Sequence, residues 1–373
     1  MSVQEEINDF IKKSTQILQS KINKDKKNIV FLSYYPTYRK HYGELVSKLK
    51  GKYNVITIVD RILNDDFEKA GHFNMLFPYR VIENGQTYYL NADIKGIDLI
   101  ITADQVGYED GRIDREFLSK SAKRMYLPHS LQGITGNGKD VDYILAPSKE
   151  TTKDFKKQNT KCKILPAGYP KLDQAIKKYN YVDRNIITYA PTLRYLSPNR
   201  NADTNIISGF DNNIIEWLLC NSSYNISYRA FPMNFQNNHL NWQLIKQKWI
   251  NNNRVIVDSE PGNNYNSYSD FIISDCSGTA TYSFTTLRPA FYFRPNYVTD
   301  GYLSKHIEEN IAKVLSGGYL AKNFKELKAQ ITNIDYKAIA ESIKDLRDKE
   351  IYNVGHSEEV IMGYVDEILE GKL

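Results

Sequence analysis

Four loops of the sequence carry side chains able to move a proton or hold an anion, and each follows an apolar run. In "LPHSLQG", His129 comes directly after such a run, and a neutral imidazole can take a proton from an attacking hydroxyl at physiological pH. In "ITYAPTLRY", Thr192 and Arg194 follow a run that ends at Pro191, and in "SYRAFP" Arg229 stands in the same relation to its own run. A guanidinium in that position can hold a phosphate in its planar fork. In "FIISDCSGTATYSF", the strand-like Phe271-Ile272-Ile273-Ser274 empties into Asp275-Cys276-Ser277-Gly278-Thr279 before a segment that reads as a helix. A turn of small residues at a helix start aims backbone N–H groups at an anion.

Other chemistries fit less well. "GITGNGKD", residues 133–140, has P-loop spacing through Gly133, Gly138 and Lys139. It places Asp140 where a hydroxyl must ligate magnesium, and "VDYILAP" follows as a strand where a helix is required. No GxGxxG fingerprint follows any strand, which disfavours a dinucleotide oxidoreductase. Cys162, Cys220 and Cys276 signal neither a disulfide framework nor a zinc site, and they suit a reducing compartment. The remaining histidines, His41, His72, His239, His306 and His356, fall in no recognisable constellation. Tyr34, Tyr35, Tyr38 and Arg39 read as an aromatic loop packing on its own domain, and Arg288 and Arg294 as solvated positions flanking "PAFYF".

The elements that must position these loops alternate as in an α/β protein. "NIVFLSYYP", "YNVITIVD", "IDLIITAD", "RMYLPHS" and "VDYILAP" read as strands, with helices at "HYGELVSKLK" and after the Ser148 cap in "SKETTKDFKKQ". The pattern restarts with "IITYAPT", "YNISYRAFP", "RVIVD", "DFIISD" and "PAFYF". Strands separated by helical stretches predict parallel sheets with crossovers. Two such units in tandem predict two Rossmann-like domains facing each other across a cleft, 29–176 and 177–350. The tail from "SKHIEENIAKVL" onward reads as helices throughout, and 351–373 as a terminal helix able to cross back to the first domain. In open α/β sheets ligands sit beyond the carboxyl ends of the strands, where all four loops fall.

Length and charge agree. The 373 residues suit two domains of roughly 150 residues each. Hydrophobic content of 41% and charged content of 25% describe an ordinary globular chain. The 28 tyrosines offer amphipathic rings for polar ligands, although base bias in the gene explains such a composition equally well. A net charge of +5 suits an anionic partner, and the absence of basic runs interleaved with aromatics argues against nucleic acid. Residues 1–28 form a basic amphipathic stripe through Ile7, Phe10, Ile11, Leu18 and Ile22, which packs on the first domain or lies on an anionic membrane surface. With no secretory h-region and no apolar run of about 18 residues, the expected location is cytoplasmic, with the inner face of the plasma membrane as a peripheral site.

Taken together, "LPHSLQG", "GYPKLD", "YAPTLR", "YRAFP" and "SDCSGTATYSFTTLRPAFYF" resemble, in order and spacing, the motifs of the CDP-glycerol glycerophosphotransferase family, which polymerises teichoic-acid and capsule backbones. The resemblance covers roughly residues 120–300. It implies a GT-B fold with an acceptor domain first and a nucleotide-donor domain second, no cofactor and no metal ion. It implies His129 as the catalytic base and Thr192, Arg194, Arg229, Asp275, Ser277, Gly278 and Thr279 around the donor phosphates. The implied partners are a nucleotide-activated donor and a glycan or lipid-linked acceptor. Two positions depart from the family pattern: His129 is followed by Ser130 where the family has glycine, and Phe231 stands where the family has a second histidine. An inverting nucleotide-sugar transferase and a non-catalytic scaffold are the alternatives.

Overall fold

The computed structural model describes residues 3–33, 36–59, 75–76, 80–83, 86–89, 93–103, 118–129, 131, 141–157, 161–191, 201–231, 240–259, 267–274, 280–293, 320–332 and 334–373. The chain divides into two compact units, Met1–Gln174 with Ile351–Leu373, and Ala175–Glu350.

In the first unit the strands are β1 (Asn28–Ser33), β2 (Asn54–Val59), β3 (Met75–Leu76), β4 (Arg80–Glu83), β5 (Gln86–Tyr89), β6 (Leu99–Thr102), β7 (Lys123–Tyr126), β8 (Tyr143–Ala146) and β9 (Lys163–Pro166). β4 and β5 form a separate antiparallel pair. The others make one parallel sheet in the order β3-β2-β1-β6-β7-β8-β9, the doubly wound arrangement whose switch point lies between β1 and β6.

Every residue of β1 is buried, because both faces of the sheet are covered. Alternate residues point to opposite faces. Val30 and Leu32 join one core layer with Ile56, Ile58, Ile100 and Ile144, while Ile29 and Phe31 join the other with Val55, Leu99, Ile101 and Leu145. Leu18 of the N-terminal helix, Val3–Lys21, sits in the first layer, so the end of that helix packs on the unit. The side chains of Ile7, Phe10 and Ile11 lie outside the described residues. The second layer takes Leu45, Val46 and Leu49 of helix Leu45–Lys50 and Ile361, Val365 and Ile368 of the C-terminal helix, Ser357–Leu369. Each buried Leu or Ile contributes about 1.5–3 kcal/mol, so the C-terminal helix is held chiefly by this apolar stripe. The helix after β8, Lys149–Lys157, is opened by Ser148, whose Oγ accepts the Thr151 N–H at 3.1 Å.

The second unit repeats the plan with β10 (Ile186–Tyr189), β11 (Asn225–Arg229), β12 (Val255–Asp258), β13 (Ser269–Ser274), β14 (Ala290–Phe293) and β15 (Leu320–Ala321). All pair in parallel in the order β12-β11-β10-β13-β14-β15, with the switch point between β10 and β13. Its core gathers Ile187, Tyr189, Tyr228, Phe271, Ile273 and Phe291 against residues of helices Asn201–Asn221 and Leu240–Trp249.

One sequence expectation needs correction. The tail is not helical throughout, because Leu320 and Ala321 extend the second sheet beside Tyr292 and Phe293. Two residues are too short to show a period, and only the pairing defines them. β9 carries no buried apolar run either, since its exposed Lys163 and Pro166 bracket an edge strand. The segment "SKHIEENIAKVL" lies outside the described residues.

Candidate functional site

Four strands of the first unit end in a single hydrogen-bonded network. Tyr42, just beyond the 3-10 turn Pro36–His41 that follows β1, places its hydroxyl across the switch point. That hydroxyl donates to Leu32 O of β1 and accepts the N–H of Ala103, the residue after β6, at 3.1 Å. Ala103 O in turn takes a hydrogen bond from His129 Nδ1 at 3.0 Å. Tyr169, three residues past β9, donates its hydroxyl proton to His129 O at 2.9 Å and meets His41 Nδ1 at 2.9 Å. The two imidazole rings stand 5.9 Å apart, centroid to centroid.

The partners fix the protons. A carbonyl only accepts, so His129 Nδ1 carries a hydrogen, and the neutral ring keeps its lone pair on Nε2. The single proton of Tyr169 goes to the His129 carbonyl, so His41 Nδ1 must donate to the tyrosine oxygen. His41 is therefore also an Nδ1–H tautomer. Burial holds both imidazoles below their ordinary pKa, and Lys171 and Lys40 push in the same direction, outweighing the Ala103 bond at His129. Burial also pushes the Tyr169 hydroxyl far up, so it remains a donor. At neutral pH the edge presents a proton-free Nε2 on His129, which is the form a general base requires.

The C-terminal segment braces this edge. Gly168 has φ +92, and a Cβ there would stand 2.5 Å from Tyr352 O and 2.8 Å from Ser357 Cβ. Only glycine allows this approach. Asp173 accepts the N–H groups of Gly355 at 2.7 Å and Ser357 at 2.9 Å, capping the C-terminal helix. Beside Tyr42, Gly43 has φ +56 and lies against Glu358, which accepts the Glu44 N–H at 2.8 Å and pairs with Lys48 at 2.7 Å. The "GYPKLD" motif thus holds one bracing glycine, one network tyrosine and one capping carboxylate.

At the carboxyl edge of the second sheet the chemistry is ionic. Arg229 ends β11 and Asp258 ends the neighbouring β12, where Arg229 Nη1 meets Asp258 Oδ1 at 2.8 Å. With side chains only 11% and 2% exposed, the pair is sheltered, and it fixes the guanidinium at the edge. Across the switch point the Ala190 N–H donates to Ile273 O at 2.9 Å, and the Ser274 hydroxyl donates to Ala190 O. Immediately beyond these two strand ends the sequence carries Thr192 and Arg194, and Asp275, Ser277, Gly278 and Thr279. All six lie outside the described residues, as do the P-loop-like 133–140, Arg294, Tyr34 and Tyr35. The helix that follows, Ala280–Thr286, has seven residues.

Arg288 is not a solvated position. Its guanidinium lies 3.7 Å from the Tyr181 ring centroid and 3.2 Å from Asp270 Oδ1. Asp270 is the second residue of β13, so Arg288 is held at the amino edge of the sheet, opposite the edge where ligands bind. His41, which falls in no constellation by sequence, belongs to the His129 network, and Tyr169 joins them. The signal within reach was the "GYP" turn placed directly after a strand. Its pairing with His41, across 128 residues, had no local trace.

The sequence matches no known family profile and no curated protein sequence. Solved structures do resemble it. A Listeria monocytogenes protein assigned as a UDP-N-acetylglucosamine 2-epimerase aligns with TM-score 0.62 at 13% identity, covering 93% of this chain and 97% of its own. S. aureus MnaA in a co-structure with UDP gives 0.59 at 12%, covering 92% and 97%. The wall teichoic acid polymerase TagF soaked with CDPG gives 0.58 at 16%, covering 99% and 96%. At these identities the likeness establishes the fold, an α/β architecture of two parallel sheets matching GT-B proteins.

Proposed function

We propose that the protein is a transferase that moves a nucleotide-activated group onto an acceptor hydroxyl in the synthesis of a cell-surface glycopolymer. The observation that carries this reading is the neutral His129 at the carboxyl edge of the first sheet, its Nδ1–H committed to Ala103 O. In the proposed reaction His129 Nε2 takes the proton of the acceptor hydroxyl. The acceptor oxygen bonds to the phosphorus that carries a polyol such as glycerol, and the bond from that phosphorus to the bridging oxygen breaks. Cytidine monophosphate leaves with the bond's electrons. Arg229, held by Asp258, with Thr192, Arg194, Asp275, Ser277, Gly278 and Thr279, would stabilise the departing phosphate. No cofactor and no metal enters this scheme. The acceptor would be a glycan or a lipid-linked chain, and contact of residues 1–28 with a membrane surface belongs to the same proposal.

A nucleotide-sugar donor is the second reading. It is favoured by Phe231, which cannot bond a phosphate or shuttle a proton where the CDP-glycerol family carries a histidine. Attack would then fall at the anomeric carbon. A melting-temperature panel with cytidine, uridine and guanosine nucleotides separates the two, since a ligand that binds only the folded state raises the transition. Selective stabilisation by CDP-glycerol and CMP is expected. The variant His129→Ala is expected to keep that stabilisation while losing about 10²–10⁴-fold in turnover. Unchanged turnover would remove His129 from the chemistry and favour a scaffold.

A further inference from the structure

The His129 ring is ordered by its bond to Ala103 O, and its main chain is gripped separately by Tyr169. Tyr169 is 1% exposed and His41 3%, so neither presents a surface for a ligand. A tyrosine hydroxyl with its proton committed to one carbonyl has only its lone pairs left for His41. The His129 carbonyl therefore fixes the direction of the phenol's proton, and the phenol in turn fixes that of His41, while Ala103 O fixes the proton on His129 Nδ1.

We propose that Tyr169 and His41 are positioning residues for His129. The Tyr169 hydroxyl fixes the main chain that carries the imidazole, and His41 Nδ1–H fixes the orientation of that hydroxyl. The inference rests on the reading of His129 as the base, and it concerns groups that the reaction scheme leaves out. Remove the hydroxyl, and the His129 carbonyl and the His41 N–H both lose a buried partner. Such groups recruit water or move until they find one. Either response rehydrates the imidazole and loosens its ring. Among the described residues, the charged and titratable groups acting on His129 include Lys40 and His41 from the segment after β1, and Tyr169 and Lys171 from the segment after β9. None of the three variants used below changes a charge among these neighbours at neutral pH.

The test needs no substrate. With 15N-labelled histidines, the ring nitrogens of His129 report which one holds the proton and where the second proton binds. In the wild-type protein Nε2 is expected to be unprotonated at neutral pH, with protonation setting in below the ordinary 6.5. Tyr169→Phe is expected to move that midpoint up toward 6.5 and to mix the tautomers. An unchanged midpoint and tautomer in Tyr169→Phe overturns the proposal.

Since Tyr169→Phe also strips two buried bonds, His41→Asn provides the control that folding alone cannot mimic. The asparagine amide can put an N–H where Nδ1–H stands, so the His129 signals are expected to stay as in wild type, whereas His41→Leu shifts them. Equal disturbance by His41→Asn and His41→Leu also overturns the proposal. Turnover then separates the two ideas. Tyr169→Phe lowers kcat about tenfold with an acid limb moved upward and an unchanged donor KM, and His41→Asn retains activity. A shifted NMR midpoint without any catalytic consequence keeps the positioning and sinks the reading of His129 as base; a wild-type midpoint beside a catalytic defect sinks the positioning alone.

Discussion

The two sheets share one doubly wound topology, yet their carboxyl edges solve opposite electrostatic problems. In the first unit, burial and two lysines keep a pair of imidazoles neutral, and the hydroxyls of Tyr42 and Tyr169 tie the strand ends around them together. In the second, a guanidinium and a carboxylate on adjacent strand ends face each other at 2.8 Å. Topology supplies the place, since each switch point leaves strand ends with loops diverging to both sides. Side-chain chemistry then decides whether the place carries neutral imidazoles or an ion pair.

The sharpest way to break that contrast is to remove the charge from the second edge. Arg229→Met breaks the sheltered ion pair with Asp258 and is expected to destabilise by about 3–5 kcal/mol in chemical denaturation. The double variant Arg229→Met/Asp258→Leu is expected to recover much of the loss. Nucleotide affinity is expected to fall about tenfold in both, as for a lost charge-assisted bond to phosphate. Arg288→Met, at the amino edge, is expected to leave affinity unchanged. Equal effects of the two arginines on affinity would erase the distinction between the edges.

A smaller effect sharpens the comparison from the other side. Gly168→Ala sets a Cβ at φ +92 within 2.5 Å of Tyr352 O, and an expected loss of about 2 kcal/mol follows from the left-handed backbone together with the clash. Its effect is expected on the first unit alone, read by hydrogen exchange of β8 and β9. Exchange that accelerates equally in β10 and β13 would show that the bracing is not local.

The smallest effect is a slope with pH. Both imidazoles have folded-state pKa values below 6.5, so under that pH the unfolded chain binds more protons than the folded one. Stability is therefore complete above 6.5 and declines as pH falls, by about 1.4 kcal/mol per pH unit for His41. His41→Asn has no group there to protonate and is expected to make the slope shallower. A slope unaltered by that substitution would mean that His41 does not carry it.

Much of the fold could be read along the chain. β1, β6, β8, β10 and β14 are runs of wholly buried residues, and a covered parallel strand shows itself that way. His129 could be picked out because it follows such a run. The rest of its network could not, because Tyr42, Ala103, His129 and Tyr169 are joined by bonds spanning tens of residues. Nothing beside Gly168 in the sequence announces its constraint, which comes from Tyr352 and Ser357, far along the chain. Arg288 looked solvated because no local pattern announces that Tyr181 and Asp270 will enclose it.

The bracing by the C-terminal segment also orders events during synthesis. The Glu44 N–H and the Glu358 carboxylate that accepts it are 314 residues apart, and the core of the first unit needs Ile361, Val365 and Ile368. A ribosome releases all of Ala175–Glu350 before any of those residues emerges. The second sheet can thus complete itself while the first, although made earlier, still waits with part of one face uncovered. The bracing of the His129 network thus comes after the second sheet, and a product cut short before residue 351 would carry the Arg229–Asp258 pair on a complete sheet while Gly168 and Asp173 lacked their contacts with Tyr352 and Ser357.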